Sequence, residues 1–304
     1  MALYDIEGLE AVRLIEAEGL PILKNDKKGA GGYAASFCRD TGKHKEVAIL
    51  NLMPLKETTE KHLLRRMASS EFDVNVTFLY TETYTPKHTA KEHLDAFYTT
   101  FSKIKDRYFD GLMITGAPLE NFAFEEVAYW KEVTEIFQWA ETHVGSVMFI
   151  CWGGQAGLYY YYGIPVHYLP EKISGVYEHK IVNHTPITTG WKEPFMTPHS
   201  RHTGTFLEEV LEKKELTVIS VAETAGVYLV TDEPKKRLFA MGHSEYDTDT
   251  LLFEYQRDTK KGWDVPVPVH YFKDDDPSKE PVNTWSEHSV VYYNNWLKYY
   301  ANWD

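Results

Sequence analysis

The sequence predicts an α/β protein with a mostly parallel β-sheet and helices on both of its faces. Two observations lead to this prediction. Short apolar runs rich in branched and aromatic residues alternate with segments of helical period, and most of these runs end near a glycine or a proline. The chain has 304 residues, 43% of them hydrophobic, which is enough to bury a large core. We found no internal repeat, low-complexity tract or linker, so the sequence predicts one domain.

The first half of the chain contains four predicted strands, at KEVAILNLM (45–53), VNVTFLY (74–80), FDGLMITG (109–116) and VGSVMFICW (144–152). Before the fourth strand, the segment EEVAYWKEVTEIFQWA (125–140) carries apolar residues at spacings of three and four, namely Val127, Trp130, Val133, Phe137 and Ala140. This apolar stripe predicts a helix that packs against the sheet.

The second half continues with strands predicted at TVISVAET (217–224), GVYLVTD (226–232) and RLFAMGHS (237–244). They follow one another so closely that we expect hairpin pairing at one edge of the sheet. A helix is predicted from about Asp247 to Lys260. The tail, rich in Trp and Tyr, predicts a C-terminal helix that either caps the core or contacts a second subunit.

Composition and charge exclude several classes of function. The two cysteines are too few for a disulfide scaffold, and the acidic start MALYDIEGLEAVRLIEAEGL lacks the features of a signal peptide, so we expect a cytoplasmic protein. No apolar run approaches the roughly 20 residues of a membrane span. The net charge of -13 would repel a phosphate backbone, so the expected partners are small molecules and not nucleic acid or membrane.

The segment SVMFICWGGQAG (146–157) places Cys151 at the end of a predicted strand, with a predicted helix directly behind it. A strand–turn–helix arrangement exposes a nucleophile above the edge of a sheet. Gly153 and Gly154 permit a sharp turn there, and the N-terminal end of the helix stabilises a thiolate. The alternative is a buried, unreactive cysteine at a strand end.

A partner base is offered by FAMGHSEYD (239–247), where another predicted strand is followed by His243 and, two residues later, Glu245. Because the carboxyl ends of parallel strands share one crevice, the thiol and the imidazole can converge there. The carboxylate would orient the imidazole as a general base, which gives a Cys-His-Glu triad. Taken alone, the His-x-Glu pair could equally be a structural ion pair.

These motifs resemble known families. CWGGQ (151–155) and HSE (243–245) resemble the C-x-G-x-Q and H-P-E elements of class I glutamine amidotransferases. The wider chain resembles more closely the homoserine O-acyltransferases of methionine biosynthesis, in NLMPLKETTE, DGLMITGAPLE, VAYW, FICW, YGIP, EKISGVYEHKI, TPHSRH, GHSEYD and NTWSEHSVVYYNNWLKYY. This match runs from about Lys45 to the C-terminus, so we interpret residues 1–304 as a single acyltransferase domain with residues 1–44 as an N-terminal extension.

The resemblance implies a flavodoxin-like fold of the class I glutamine amidotransferase type and a homodimer. It also implies a ping-pong transfer of an acyl group from coenzyme A to the hydroxyl of L-homoserine, with no bound cofactor. Cys151 would become the acyl-thioester, His243 would accept the proton of the thiol, and Glu245 would orient the imidazole of His243. The amide of Trp152 and the ammonium of Lys56 would donate to the tetrahedral oxyanion. Without the family pattern, Lys56 would be interpreted as a solvated residue at the start of a helix.

For homoserine, the resemblance implies contacts with Lys172, Ser200 and Arg257. A planar guanidinium such as that of Arg257 can hold an amino acid's carboxylate by two parallel hydrogen bonds. The alternative for Arg257 is a surface ion pair with Glu254, three residues earlier on a predicted helix.

The acyl donor is predicted from Glu120, at the end of TGAPLE. In the family that the chain resembles, glycine at this position goes with succinyl-CoA and glutamate with acetyl-CoA. A second carboxylate in a confined pocket would repel the distal carboxylate of a succinyl group, so we expect acetyl-CoA as the donor and succinyl-CoA as the alternative. Glu120 could otherwise be a polar loop residue that faces solvent.

The chain departs from the related patterns at three positions. Leu55 stands where relatives can carry a second lysine, and Ser244 replaces the proline of H-P-E. Phe149 replaces the glycine that precedes the cysteine by two residues in amidotransferases, which argues against glutaminase chemistry.

Other candidate sites are weaker. GAGGYA (29–34) loosely fits a dinucleotide-binding fingerprint but lacks a surrounding βαβ unit, so we interpret it as a loop. No zinc-ligand spacing occurs, because HSRH (199–202) has no second ligand pair, and we expect no metal site. Cys38 is interpreted as structural or incidental.

Three hypotheses of different classes follow. The first is the homoserine acyltransferase. The second is a glutamine amidotransferase subunit, which would use the same triad to hydrolyse glutamine. The third is a thiol sensor or binding protein, which would need Cys151 but neither Lys56 nor Arg257.

Overall fold

A computed structural model describes residues 2–24, 43–84, 86 and 88–303 of the chain. Within these ranges the strands are β1 (Leu3–Tyr4), β2 (Ile22–Leu23), β3 (His44–Leu50), β4 (Asp73–Leu79), β5 (Tyr98–Thr99), β6 (Phe109–Ile114), β7 (Val144–Ile150), β8 (His167–Ile181), β9 (Phe195–Gly204), β10 (Thr217–Ala222), β11 (Gly226–Asp232) and β12 (Arg237–Ala240). The helices are α1 (Glu10–Ala17), α2 (Lys56–Ala68), α3 (Lys91–Phe97), α4 (Phe101–Ile104), α5 (Trp130–His143), α6 (Trp152–Tyr162), α7 (Leu207–Leu211), α8 (Thr250–Lys260) and α9 (Ser286–Asn295). Short 3₁₀ helices lie at Phe124–Glu126, Pro186–Thr188 and Lys273–Asp275, and a π-helical turn at Trp296–Tyr300 follows α9.

The strands of these described ranges join in one sheet of order β2-β1-β4-β3-β6-β7-β12-β11-β10-β8-β9, with β5 paired to β4. All pairings from β2 to β12 are parallel. The remaining pairings, from β12 through β11, β10 and β8 to β9, are antiparallel. The prediction of a mostly parallel α/β sheet with hairpins on one side is therefore confirmed.

The sheet separates two hydrophobic cores, as the side-chain alternation of β3 shows. Val47 and Ile49 point into the first core, which is covered by α1, α2 and the C-terminal segment. Ala48 and Leu50 point into the second core, which is covered by α5 and α6. The apolar stripe predicted around α5 packs in this second core. Helices thus cover both faces of the sheet, as the continuous apolar character of its strands predicts.

The aromatic C-terminal segment is part of the first core. Tyr292, Trp296 and Tyr300 are buried there, and the indole N–H of Trp296 donates to Ser146 Oγ at 2.9 Å. Gly111 makes this packing possible, because a Cβ at that position would lie 2.5 Å from the indole ring of Trp296. Of the two roles predicted for this segment, the structure supports the one in which it caps the core.

Residues 2–24, which belong to the predicted N-terminal extension, add to one side of the sheet. Leu3 of β1 pairs with Val74 of β4, and the buried side chains of α1 pack in the first core next to α2. GAGGYA (29–34) and Cys38 lie outside the described residues. No helix in the described ranges is both long and apolar enough to cross a bilayer.

Candidate active site

Cys151 lies at the turn between β7 and α6. Its φ is 54° and its ψ is -115°, a conformation that L-residues rarely adopt. Its N–H donates to the carbonyl oxygen of Ala240, in β12, at 2.7 Å. Gly153 and Gly154 lie inside the first turn of α6, and a Cβ on Gly153 would come within 2.8 Å of the carbonyl oxygen of Ile114. The strained turn is therefore at the cysteine itself, and the glycines let α6 approach the ends of the neighbouring strands.

His243 and Glu245 follow β12, which is the parallel neighbour of β7. His243 Nδ1 lies 2.6 Å from Glu245 Oε1, and the two residues are only 4% and 6% exposed. The backbone N–H of His243 donates to the carbonyl oxygen of Pro198 at 2.7 Å, which fixes the loop that carries the imidazole. The imidazole also lies close enough to Cys151 for the charge of that residue to act on it. Because Nδ1 is held by the carboxylate, Nε2 is the nitrogen that can exchange a proton with the thiol.

The surroundings favour the positively charged form of this histidine. Burial lowers the pKa of His243, but the negative charges of Glu245 and Cys151 outweigh burial and hold that pKa well above its ordinary value. The ring of Tyr246 stacks on the imidazole with centroids 4.2 Å apart and an interplanar angle of 16°. An aromatic face stabilises a cation placed over it. The hydroxyl of Tyr246 donates to Glu254 Oε1 at 2.9 Å, which locks the ring in place.

Gly116 keeps the space beside the thiol open. A Cβ at this position would lie 3.3 Å from Cys151 Cβ and 3.8 Å from His243 Cε1, so a longer side chain would occupy the approach to both. Gly116 was not singled out from the sequence, although it ends the predicted strand FDGLMITG.

Arg201 supplies a buried positive charge close to the thiol. Burial lowers the pKa of Arg201 to about 10, and the charge of Cys151 counteracts part of that effect. The guanidinium is held by a hydrogen-bonded chain. Arg201 Nε donates to His199 Nδ1 at 3.4 Å, His199 Nε2 lies 3.1 Å from His179 Nε2, and His179 Nδ1 donates to the carbonyl oxygen of Tyr177 at 2.8 Å.

This chain of contacts requires both histidines to be neutral. Burial lowers the pKa of His199 well below its ordinary value and the pKa of His179 to about 4. Each ring then carries one N–H, and His199 donates through Nε2 to the free nitrogen of His179. In TPHSRH the sequence pointed to Ser200 and not to Arg201, because the burial of the Arg201 side chain depends on how β9 packs. The described residues contain no group of three His, Cys, Asp or Glu side chains that could hold a metal ion.

Lys172 and Arg257, two of the three predicted homoserine contacts, both contact the carboxylate of Asp258. Lys172 Nζ lies 3.4 Å from Asp258 Oδ2, and Arg257 binds the same carboxylate through Nε at 2.7 Å and through NH2 at 2.9 Å. Arg257 therefore pairs with Asp258 and not with Glu254, which was the alternative predicted from sequence. The NH1 edge of this half-exposed guanidinium stays available for a further carboxylate. Ser200 is partly exposed on β9, the strand paired with the one that carries Lys172.

Lys56, the first residue of α2, is 4% exposed, so its interpretation as a solvated residue is wrong. Its ammonium donates to the carbonyl oxygens of Asn51 and Met53. Burial lowers the pKa of Lys56 to about 8, and the charge of Glu60 counteracts part of that effect. Lys56 lines a cavity of about 310 Å³, which we call the Lys56 cavity, together with residues that include Asn51, Tyr84, Leu119, Phe122 and Tyr129.

Glu120 lines a second cavity, of about 370 Å³, which we call the Glu120 cavity. Its other residues include Leu119, Phe122, Trp152, Gln155 and Thr203. Gln155 is 1% exposed; its Oε1 accepts a hydrogen bond from Thr203 Oγ1 at 2.9 Å, and its Nε2 has no partner among the described residues. Glu120 thus lines the same pocket as Trp152, the residue directly after the candidate nucleophile.

Comparison with known proteins adds to this geometry. The sequence profile of one protein family, homoserine O-succinyltransferase, matches residues 23–303. A homoserine O-acetyltransferase of Thermotoga neapolitana is 46% identical over 96% of this chain and 93% of its own length. A homoserine O-acetyltransferase of Agathobacter rectalis is 49% identical over 84% of this chain and 83% of its own length, and one of a Geobacillus species is 50% identical over 84% and 85%.

Solved structures with the same fold come from proteins of low sequence identity. A glutamine amidotransferase of Thermotoga maritima superimposes with a TM-score of 0.53 at 13% identity, covering 84% of this chain and 96% of its own. A glutamine amidotransferase of Methylobacillus flagellatus gives a TM-score of 0.52 at 12% identity, covering 84% and 94%. At such low identity the likeness concerns the fold, and it confirms the predicted glutamine amidotransferase-like architecture.

Proposed function

This chain belongs to the homoserine O-succinyltransferase family of acyltransferases, and we propose that it is a homoserine O-acetyltransferase of methionine biosynthesis. The observation that carries the proposal is the group of curated relatives named homoserine O-acetyltransferase, which are 46–50% identical over most of the chain. The substrates would be acetyl-CoA and L-homoserine, with no bound cofactor.

In the first half-reaction, His243 takes the proton of Cys151 and the thiolate attacks the carbonyl carbon of acetyl-CoA. The amide of Trp152 and the ammonium of Lys56 stabilise the oxyanion of the tetrahedral intermediate. When the intermediate collapses, the bond to the coenzyme A sulfur breaks and that sulfur takes the proton from His243. The acetyl group is left as a thioester on Cys151. The hydrogen bond between His243 and Glu245 and the closeness of His243 to Cys151 support these roles.

In the second half-reaction, His243 takes the proton of the homoserine hydroxyl, whose oxygen attacks the thioester. The Cys151 sulfur leaves, recovers that proton and is ready for another cycle, while O-acetyl-L-homoserine departs. Arg257 and Lys172 would hold the carboxylate of homoserine, and Ser200 would hydrogen-bond to its other polar groups. The cluster that Arg257 and Lys172 form around Asp258 supports this assignment, because it fixes two cations side by side.

Lys56 makes the acylation step pH-dependent. Since its pKa is lowered to about 8, the ammonium that stabilises the oxyanion is lost as the pH rises through that value. We therefore expect the rate of Cys151 acetylation, measured by quenched flow and mass spectrometry, to fall above about pH 8. Replacing Lys56 by methionine should lower the rate by about 10²–10³ and remove this fall.

Lys61→Met is the matched control, because Lys61 lies on the same helix but binds Asp247. It should keep the wild-type pH profile. A wild-type rate that stays constant across this range, or an equal loss in both variants, would contradict the role of Lys56.

The donor would be selected by Glu120. The family profile carries the name of a succinyltransferase, whereas the curated relatives are named acetyltransferases, so the family by itself does not decide between the donors. The proposal of acetyl-CoA is supported by those names and by the carboxylate of Glu120, which shares a cavity with Trp152. A succinyl group would bring a second carboxylate into this cavity, and such repulsion discriminates against it.

Replacing Glu120 by glycine is expected to raise kcat/KM for succinyl-CoA relative to acetyl-CoA by about 100-fold, since juxtaposed like charges cost several kcal/mol. Steady-state kinetics with both donors measures this ratio. The matched control is Glu125→Gly, which removes another carboxylate of the same cavity. If Glu125→Gly shifts the ratio as much as Glu120→Gly, the selective role belongs to the cavity's net charge and not to Glu120.

The activity itself is tested on the purified chain with acetyl-CoA, succinyl-CoA or glutamine. We expect release of coenzyme A and formation of O-acetyl-L-homoserine with the first donor. Hydrolysis of glutamine without any CoA ester would instead identify a glutaminase. A thiol that reacts with none of the three substrates would identify a sensor or binding protein.

We further propose a single domain over residues 1–304, a homodimer, a cytoplasmic location, and neither nucleic acid nor membrane as partner. The net charge of -13 supports the last point, because it disfavours anionic surfaces. Size-exclusion chromatography with light scattering tests the dimer.

A further inference from the structure

The Lys56 cavity and the Glu120 cavity are both lined by one segment, residues 118–122. Leu119 and Phe122 line both cavities. The segment begins two residues after Gly116, whose position borders the side chains of Cys151 and His243. Two spaces therefore meet at a segment that starts close to the reacting thiol, and a donor with a short acyl group and a long carrier needs two such spaces.

We propose that the Lys56 cavity binds the pantetheine arm of the acyl-CoA donor, while the acyl group occupies the Glu120 cavity. This inference rests on the proposed function, because it presupposes a CoA thioester as donor. It assigns to the carrier a binding site that the triad and the homoserine contacts leave open.

The lining of the Lys56 cavity fits the chemistry of such an arm, which is uncharged, elongated and mainly apolar, with amides and hydroxyls at intervals. Leu52, Pro54 and Val127 provide apolar walls. The rings of Tyr84 and Tyr129 pack edge to face, with centroids 5.7 Å apart, and bring phenol groups to the same space. A volume of about 310 Å³ lies within the range of about 300–1,000 Å³ found for small-molecule sites.

The border of this cavity is also unusually apolar. Phe122 is 55% exposed and Tyr84 is 37% exposed, and both line the cavity. Leu55, next to Lys56 in the chain, is 55% exposed. Exposed apolar side chains gathered around a cavity are typical of a ligand-binding surface. Glu126 also lines the cavity, and its carboxylate accepts a hydrogen bond from the N–H of Ala123, which satisfies one of its oxygens.

The Glu120 cavity suits a short acyl group better than the arm. It is bordered by the carboxylates of Glu120 and Glu125, and it contains the buried amide nitrogen of Gln155, which has no partner in the described part of the chain. A buried donor of this kind needs a compact polar acceptor to offset its lost hydration. If the acyl group occupies this side, the carrier extends into the Lys56 cavity.

The test narrows the Lys56 cavity and compares donors with and without the arm. Ala128 lines that cavity at an exposed position, so a large side chain can be introduced there without disturbing a core. For Ala128→Trp we expect the ratio of kcat/KM for S-acetylpantetheine to that for p-nitrophenyl acetate, which has no arm, to fall at least about tenfold. The same fall is expected with acetyl-CoA.

Ala123→Trp is the matched control, since Ala123 is an exposed alanine that lines the Glu120 cavity. It should change both rates by the same factor and leave their ratio as in the wild type. An unchanged ratio in Ala128→Trp, or an arm-selective loss in Ala123→Trp, would overturn the inference. Failure of the wild-type chain to react with acetyl-CoA would instead overturn the proposed function.

A second measurement covers the case in which Ala128→Trp does not fold. Hydrogen exchange of the wild-type chain is followed with and without desulfo-CoA, which carries the arm but no thiol. We expect slower exchange in residues 51–56 and 126–130, which border the Lys56 cavity, and no change in residues 159–168, which border the Glu120 cavity. The reverse pattern would place the arm in the Glu120 cavity.

Discussion

Replacing Cys151 by alanine is expected to lower kcat for acetyl transfer to homoserine by at least about 10⁴, because it removes the thiol that carries the acyl group in the proposed mechanism. The turn that carries Cys151 holds it at φ 54°, with its N–H bonded to Ala240, so the thiol projects beside His243. Alanine removes the sulfur and leaves the packing of this partly buried position nearly unchanged. The loss should therefore appear in the chemistry and not in the stability of the fold.

The measurement is the intact mass of the protein after brief exposure to acetyl-CoA without homoserine. The wild type should gain the mass of one acetyl group and lose it when homoserine is added, whereas Cys151→Ala should gain nothing. Cys38→Ala serves as the control, because it removes the other cysteine of the chain and should leave the adduct intact. An adduct on Cys151→Ala would place the acyl group elsewhere and would refute the mechanism.

The sequence predicts the parallel half of the sheet well, because strands buried on both faces are continuous apolar runs. β6, β7 and β12 lie within predicted strands, and β3 and β4 each begin one residue before theirs. β8 and β9 were missed for the opposite reason. Residues 167–181 mix exposed and buried positions and include Pro170 and several charged residues. Residues 195–204 are mostly buried but include Pro198, Arg201 and two histidines, so neither segment is a continuous apolar run.

The spatial order of the strands could not be predicted in full. β7 and β12 lie about ninety residues apart in the chain. Their pairing in the sheet follows from the fold that the sequence resembles. Nothing in the local pattern of residues 2–24 indicates that β1 pairs with β4. Strands of two residues are too short to show a periodic pattern in the sequence. Their pairing depends on which sheet edge the longer strands leave unpaired.

The candidate site shows the same division. Cys151 and His243 were predicted because each closely follows an apolar run and belongs to a distinctive motif, CWGGQ or HSE. Arg201 and Gly116 were not predicted, because they come close to the thiol only when β9 and β6 are in place in the sheet. Asp258 was also missed, although it is the immediate neighbour of Arg257, because its link to Lys172 spans 86 residues.

Replacing Glu245 by glutamine is expected to lower kcat by about 10³–10⁴, in line with the loss found when the carboxylate of a catalytic triad becomes an amide. Glutamine keeps the shape of the side chain but not its charge. Without that charge, burial dominates the environment of His243, and its pKa should move down from its raised value. The imidazolium that accompanies the Cys151 thiolate would then be lost, and the imidazole could adopt the wrong tautomer.

The charge of Glu245 can be separated from its packing by two readouts. The pH at which His243 titrates, followed by NMR, should fall in Glu245→Gln, whereas a merely structural role would change stability and leave this titration unmoved. Glu254→Gln is the matched control, because Glu254 accepts a hydrogen bond from the hydroxyl of Tyr246, whose ring stacks on His243, and an amide oxygen can still accept that hydrogen bond. Its kcat should stay within about tenfold of the wild type. If Glu245→Gln proved as active as Glu254→Gln, the triad would reduce to a Cys-His pair, and the raised pKa of His243 would have to come from Cys151 alone.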